Sequence, residues 1–187
     1  MLQTALHFSH TLLKEIVQPG QHVVDATMGN GNDTVFLAEL VGKKGRVYAF
    51  DIQEKALQST QKRLDDKVLK HQVTLIHDGH QHLENYLGKE EEIHAAVFNL
   101  GYLPKSDKKV ITLPETTQQA LDSCLQYLAR KGRIIIVAYY GHAGGQAELT
   151  TVANYCQKLP QKDYNVLTYQ FINQKNQPPI LFCIEKK

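Results

Sequence analysis

Strand-like and helix-like stretches alternate along this chain through five successive units, and then the alternation stops. Ala5, Leu6, Leu12, Leu13, Ile16 and Val17 recur at helical spacing, which predicts an amphipathic opening helix closed by Pro19-Gly20. Short apolar runs predict strands at 22–26, 46–50, 73–76, 93–98 and 133–139, the last with four consecutive β-branched residues, Ile134 to Val137. Helical spacing falls between them at 33–41, 54–66, briefly around Leu83, Tyr86 and Leu87, and at 114–129; a further helix at 146–159 follows the fifth strand. Such alternation implies a mainly parallel sheet with helices on both faces. The ending differs. Two last strands, about 165–172 and 180–185, are separated only by the turn Asn173 to Pro179. A parallel crossover needs roughly a dozen residues or more, so these two must form a hairpin, and one of them runs antiparallel. The expected fold is α/β, a mostly parallel seven-stranded sheet ending in an antiparallel hairpin, in one domain over residues 1–187.

Composition narrows the class. Apolar residues make up 42% and charged residues 21%, the mix of a globular chain rather than a disordered one. The net charge of +2 excludes a strongly basic nucleic-acid arm, but not a local basic patch. No apolar run approaches the roughly 20 residues of a membrane span, and the start lacks the basic and apolar regions of a signal peptide. Cys124, Cys156 and Cys183 form no CxxC pair, which argues for reduced thiols rather than a disulfide framework or zinc site. The expectation is a compact cytoplasmic domain without membrane partner or metal.

The densest motif is Val23-Val24-Asp25-Ala26-Thr27-Met28-Gly29-Asn30-Gly31-Asn32-Asp33-Thr34, a buried strand running into a Gly-x-Gly turn that opens a helix. Glycine lets the backbone turn tightly and approach a ligand. Thr34 occupies the place of the third glycine of a dinucleotide fingerprint, which weakens a pyrophosphate reading. Asp25 is an awkward neighbour for phosphates and suits a cationic ligand end, an ammonium or a sulfonium. A plain tight turn would use the same glycines. Two further positions raise the case for a ligand. Asp51 ends the second strand, twenty residues after Gly31, where a carboxylate can accept both ribose hydroxyls of an adenosine. Asp78, beside Gly79 and His80, ends the third, where an oxygen can accept from an exocyclic amine. All three lie at carboxyl ends of adjacent strands, where open α/β sheets bind ligands.

The fourth strand ends in Phe98-Asn99-Leu100-Gly101-Tyr102-Leu103-Pro104. Its Asn99 and Tyr102 keep the spacing of the Asn-Pro-Pro-Tyr loop of class I methyltransferases that modify amino nitrogens, with Leu100 and Gly101 in place of the prolines. An ordinary strand-ending turn also uses Asn and Gly. His77, His80 and His82 with Asp78 resemble a metal cluster, but no i, i+4 pair on one helix is evident. His80 reads better as a pocket residue. Tyr140 and His142, after the fifth strand, are expected at the substrate mouth. His7 and His10 on the opening helix either cover that mouth or simply face solvent. Arg130, Lys131 and Arg133 are expected at the opposite end of the sheet.

These words resemble class I S-adenosylmethionine-dependent methyltransferases over nearly the whole chain. More narrowly, Asp25 to Thr34, His77-Asp78-Gly79-His80, Phe98 to Pro104 and Tyr139-Tyr140-Gly141-His142 are similar to a small bacterial family labelled rRNA methylases. The resemblance implies a Rossmann-like class I methyltransferase fold and S-adenosylmethionine as cofactor. It implies cofactor contacts from Asp25, Thr27, Gly29, Asn30, Gly31, Asn32, Asp33, Thr34, Asp51, Ile52, Gln53, Asp78, Gly79, His80 and Asn99. Catalytic roles fall to Asn99, Tyr102, Tyr140 and His142, and substrate contacts to His7, Lys105, Lys108 and Lys109. The family methylates the amino group of 5-aminomethyl-2-thiouridine at the tRNA wobble position, so the implied partners are a tRNA anticodon stem-loop and a second copy in a homodimer. A rRNA or small-molecule methyltransferase on the same fold, a nicotinamide-dependent oxidoreductase and a non-catalytic binding module are the competing readings. The missing third glycine and the lack of a second catalytic domain count against the oxidoreductase.

Overall fold

The structure is a computed structural model and describes residues 1–103 and 111–187. Lys105, Lys108 and Lys109 lie outside the described residues. In chain order the elements are α1 (Ala5–Lys14), β1 (His22–Asp25), α2 (Asn32–Val41), β2 (Arg46–Phe50), α3 (Glu54–Asp66), β3 (Val73–Ile76), β4 (Ile93–Leu100), α4 (Pro114–Tyr127), β5 (Leu128–Ala138), α5 (Gly145–Lys158), β6 (Tyr164–Tyr169) and β7 (Ile180–Lys186). Two 3₁₀ turns, Lys70–Gln72 and His80–Asn85, flank β3.

Among the described residues the strands form one seven-stranded sheet in the order β3-β2-β1-β4-β5-β7-β6. β1 pairs parallel with both β2 and β4, while β7 pairs antiparallel with both β5 and β6. The strand order reverses between β1 and β4, and their carboxyl ends open the crevice where α/β sheets bind ligands.

The interior strands are apolar on both faces because both faces are covered. Val23, Ala95, Val97, Ile135 and Val137 point to the layer of α1 and α2, against Leu12, Leu13, Leu37, Ala38 and Val41. Their neighbours Val24, Ala96, Phe98, Ile134 and Ile136 point the other way, against Leu121, Cys124 and Leu125 of α4 and Leu149, Val152 and Cys156 of α5. The three cysteines are buried and unpaired, and burial pushes each thiol up to about 12, which keeps them inert packing groups.

Several boundaries depart from the sequence expectation. β5 starts at Leu128 rather than Arg133, because Leu128 already pairs with Ile93. The register then jumps to Ala95 opposite Arg133, and the intervening bulge places Lys131 at a φ of 62°. Arg130, Lys131 and Arg133 thus belong to β5 itself, at its amino end. β4 runs on to Leu100, so Asn99 sits in the ladder opposite Val137 rather than in a free loop. The last hairpin keeps only Tyr164–Tyr169 as its first strand, short of Ile172.

Candidate active site

The carboxyl ends of β1 to β5 surround a cavity of about 810 Å³. Its floor is the turn after β1. Gly31 takes a left-handed φ of 79° at the N-cap of α2, and a Cβ there would lie 2.7 Å from Thr60 Oγ1, so only glycine lets α3 pack this closely. The Thr60 hydroxyl donates to the Gly29 carbonyl at 3.1 Å, and the Gly29 N–H donates to Asp51 Oδ2 at 3.0 Å. The turn is therefore fixed from α3 and from β2 before any ligand arrives.

Asp51 is half-buried at the end of β2, and its second oxygen accepts the Gln53 N–H at 2.9 Å. Burial raises its pKa, against the pull of those N–H groups. Asp51 lines the cavity, where its remaining acceptor capacity faces hydroxyl donors. Asp78, at the end of β3, accepts the Gly79 N–H and His82 Nδ1 on one oxygen and the Tyr86 hydroxyl on the other. The bond from His82 leads the causes that hold its carboxyl below the usual range. His80 is buried, its pKa lowered by that burial. Its Nδ1 sits 2.9 Å from the Ala26 carbonyl, which can only accept, so Nδ1 carries the proton.

The centre of the site joins three elements. The Asn99 N–H donates to Thr27 Oγ1 at 2.7 Å, and Asn99 Nδ2 lies 2.6 Å from Asp33 Oδ2. A carboxylate accepts only, so the amide nitrogen faces Asp33 and the amide oxygen is left as the acceptor of a side chain that lines the cavity. The other Asp33 oxygen lies 2.6 Å from His10 Nε2 of α1.

The mouth is aromatic. Tyr102, Tyr139, Tyr140 and His142 line it, with Leu6, Leu113 and Gln177 at the rim. Tyr102 meets the His142 ring edge-on at 5.6 Å between centroids. His142 Nδ1 donates to the Ala143 carbonyl at 2.9 Å, while its Nε2 is buried without a hydrogen-bond partner among the described residues, against Gly101 and Gly145. Burial, then the charge of Asp33, raise the Tyr139 hydroxyl. Below the mouth, Tyr102 bridges Ile111 and the Thr112 N–H donates to the Gly101 carbonyl. The Thr112 hydroxyl accepts the Gly101 N–H and donates to Glu148 of α5 at 2.6 Å; Thr117 donates to the other Glu148 oxygen at 2.7 Å.

Thr27, Gly29, Asn30, Asn32, Asp33, Asp51, Ile52, Gln53, Asp78, Gly79, His80, Asn99, Tyr102, Tyr140 and His142 all line this one cavity. The structure does not bring the remaining described positions there. Asp25 is wholly buried behind the turn, where it accepts the Thr34 hydroxyl at 2.6 Å and the Thr27 N–H at 3.2 Å. Gly31 and Thr34 lie behind the turn with it, buried. His7 is exposed and turned to Thr4 at the start of α1, so of the two helix histidines it is His10 that lines the cavity. Gln177 and the Thr112–Glu148 pair escaped the sequence reading. Gln177 sits in the final turn, whose only signal is its Pro and Asn content. A buried Glu one turn into an otherwise amphipathic α5 is the signal that could have found the other. Among the described residues no group of three His, Cys, Asp or Glu is placed to hold a metal, and no helix is long and apolar enough to cross a membrane.

The site's acceptors fit an adenosine-bearing cation: carboxylates at the ends of β2 and β3 for hydroxyl and amine donors, and the Asp33 carboxylate toward the centre. Comparisons with known proteins agree. Residues 47–185 match the family model described as "Putative rRNA methylase". The chain is 35% identical to the Arabidopsis thaliana chloroplast tRNA (mnm5s2U34)-methyltransferase over 98% of its own length and 70% of that protein's. A rRNA methylase structure from Clostridium thermocellum superposes with a TM-score of 0.97 at 48% identity, each chain covered in full. A Streptococcus mutans protein described as "a putative methyltransferase", solved in complex with S-adenosylhomocysteine, superposes at 0.92 with 44% identity, again in full. This chain belongs to the rRNA methylase family of class I methyltransferases.

Proposed function

We propose that this protein is an S-adenosylmethionine-dependent N-methyltransferase acting on the aminomethyl group of 5-aminomethyl-2-thiouridine at the tRNA wobble position, giving 5-methylaminomethyl-2-thiouridine. The observation that carries the reading is Asn99, a lining residue of the cavity whose amide nitrogen is held by Asp33, which leaves the amide oxygen as its acceptor. The nearest support for the substrate is the tRNA methyltransferase relative. When bound, S-adenosylmethionine supplies a methyl group already activated on a sulfonium. The protein then has to seat two ligands and aim one lone pair.

Asp51 would accept the ribose hydroxyls and Asp78 the adenine amine, while Thr27, Gly29 and Asn30, which line the turn, would hold the rest of the cofactor. Asn99 accepts an N–H of the target amine and turns its lone pair along the transfer axis. An aliphatic amine enters water mostly as ammonium, and the apolar, aromatic mouth lowers its pKa by desolvation. Tyr140 stands there on the path of the released proton, while Tyr102, backed edge-on by His142, offers a wall for the planar base. A stem-loop seated on aromatic faces needs few phosphate contacts, which suits a net charge of +2. Lys105, Lys108 and Lys109, a homodimer partner and a cytoplasmic setting complete the reading.

The test is nucleoside mass spectrometry of tRNA from a deletion strain, paired with methylation of that tRNA by the purified protein. Accumulated 5-aminomethyl-2-thiouridine, converted in vitro by the protein, supports the reading. An unchanged tRNA profile beside loss of a methyl group from rRNA would replace it.

A further inference from the structure

The outer end of the Asn99 hydrogen-bond chain lies on the opening helix, an element that contributes no strand-end motif to the site. His10 Nε2 lies 2.6 Å from Asp33 Oδ1, and its ring stacks on Phe36 of α2 at 3.9 Å between centroids and 9° between planes. The Lys14 ammonium lies 5.5 Å from the centre of that same Phe36 ring. A histidine that merely faced solvent would not be clamped by a ring contact on one side and a carboxylate on its edge. Its side chain is 26% exposed, against 8% for Asp33, so His10 closes the outer wall over a nearly buried acid.

Asp33 is the joint. Were its Oδ1 unheld, the carboxyl group could rotate, and Asn99 Nδ2 would lose its fixed acceptor. The Asn99 amide could then turn over and offer its NH₂ to the cavity, where an amine nucleophile needs an acceptor. We propose that His10 is a positioning residue: acting through Asp33, it holds the Asn99 amide in the orientation that presents oxygen to the substrate nitrogen. This rests on the reading of Asn99 given above and adds α1 to the apparatus. It also selects the substrate class, since a nucleophile that bears an N–H is matched and one that can only accept is not.

The experiment measures methylation of tRNA carrying 5-aminomethyl-2-thiouridine by the full-length protein with S-adenosylmethionine, beside S-adenosylhomocysteine affinity by calorimetry. His10→Ala is expected to lower kcat about tenfold, as loss of a hydrogen bond to a charged group would, with cofactor-product affinity within twofold of wild type. His10→Gln, whose amide NH₂ reaches the place of Nε2, is expected to recover most of kcat, which a role in folding alone would not predict. A His10→Ala protein with wild-type kcat overturns the inference, as does a loss confined to cofactor affinity or a Gln variant no better than Ala. The Asn99 side-chain NH₂ signals in nitrogen-15 NMR give a readout without turnover. One proton should resonate downfield from its bond to Asp33 and move back in His10→Ala; no movement overturns the inference. If the wild-type protein leaves that tRNA unmethylated, the substrate reading fails, and the NMR signals still decide the role of His10.

Discussion

The two ends of the sheet carry the same kinds of residue and use them differently. At the amino end, His22 Nδ1 lies 2.6 Å from Glu91, which also accepts the Tyr48 hydroxyl, and Arg133 reaches Glu185, Glu15 and the Leu12 carbonyl. These groups are spent on one another. At the carboxyl end Asp51 is held by backbone N–H groups, Asp78 by a backbone N–H with His82 and Tyr86, and Asp33 by His10 and Asn99, and all three acids line a cavity. A carboxylate or histidine is thus functional or structural according to what its remaining capacity faces, not according to residue type.

Substitutions at the two ends should separate on that basis. The largest effect belongs to Asn99→Ala, expected to lower kcat by about 10²–10³-fold with S-adenosylhomocysteine affinity little changed. Single-turnover methylation and calorimetry together check it, and a wild-type kcat would remove Asn99 from the chemistry.

Next comes Asp25, whose pKa stands at about 7, raised by burial first and then by the charge of Asp33. Its folded pKa lies above its unfolded one, so between about pH 4 and pH 7 the folded state holds the extra proton and stability falls as pH rises. Asp25→Asn keeps an acceptor for the Thr27 N–H and removes that dependence. Its gain in unfolding free energy should approach roughly 4 kcal/mol above pH 7 and vanish near pH 4. Denaturant midpoints at both pH values test this, and a gap that is equal at the two would show that folding does not raise the Asp25 pKa.

Asp51→Ala should weaken cofactor binding by about 10–100-fold, the worth of hydrogen bonds to a charged acceptor plus the loosened turn at Gly29. Unchanged affinity by calorimetry would take the ribose away from Asp51. The smallest effect is at the far end. Burial alone would raise the Glu91 carboxyl, but bonds from Tyr48, the Gly88 N–H and His22 bring it below the usual value. Its contribution is therefore present at neutral pH and lost as the medium is acidified through that lowered pKa. Glu91→Gln should cost a few degrees in Tm at pH 7, less in acid, and leave kcat alone; a fall in kcat would contradict the division between the two ends.

The same division explains what could be read from the chain directly. Arg46–Phe50, Glu54–Asp66 and Val73–Ile76 match their expected limits because turn residues and period changes mark both edges. The start of β5 is set instead by Leu128 pairing with Ile93, a partner distant in sequence, and by a bulge that no local pattern announces. In the site, acids at strand ends are placed by the alternation itself. The His10–Asp33 and Thr112–Glu148 contacts span 23 and 36 residues, and only packing of α1 and α5 on the sheet brings them about. Asp25 shows the converse limit. Its position in the motif is plain, but whether its side chain turns to the ligand or into the core depends on the pleat and on Thr34.

Glu148 grips Thr112 and Thr117, and Thr112 in turn grips Gly101, so one acid of α5 is tied to the end of β4 and to the start of α4. Gly101 lies two residues from Asn99, so a helix on the outside of the sheet shares in setting the strand end where Asn99 stands. Glu148 is thus an anchor for backbone rather than a group for ligand, and a change in the seating of α5 would reach the site as a shift of the main chain.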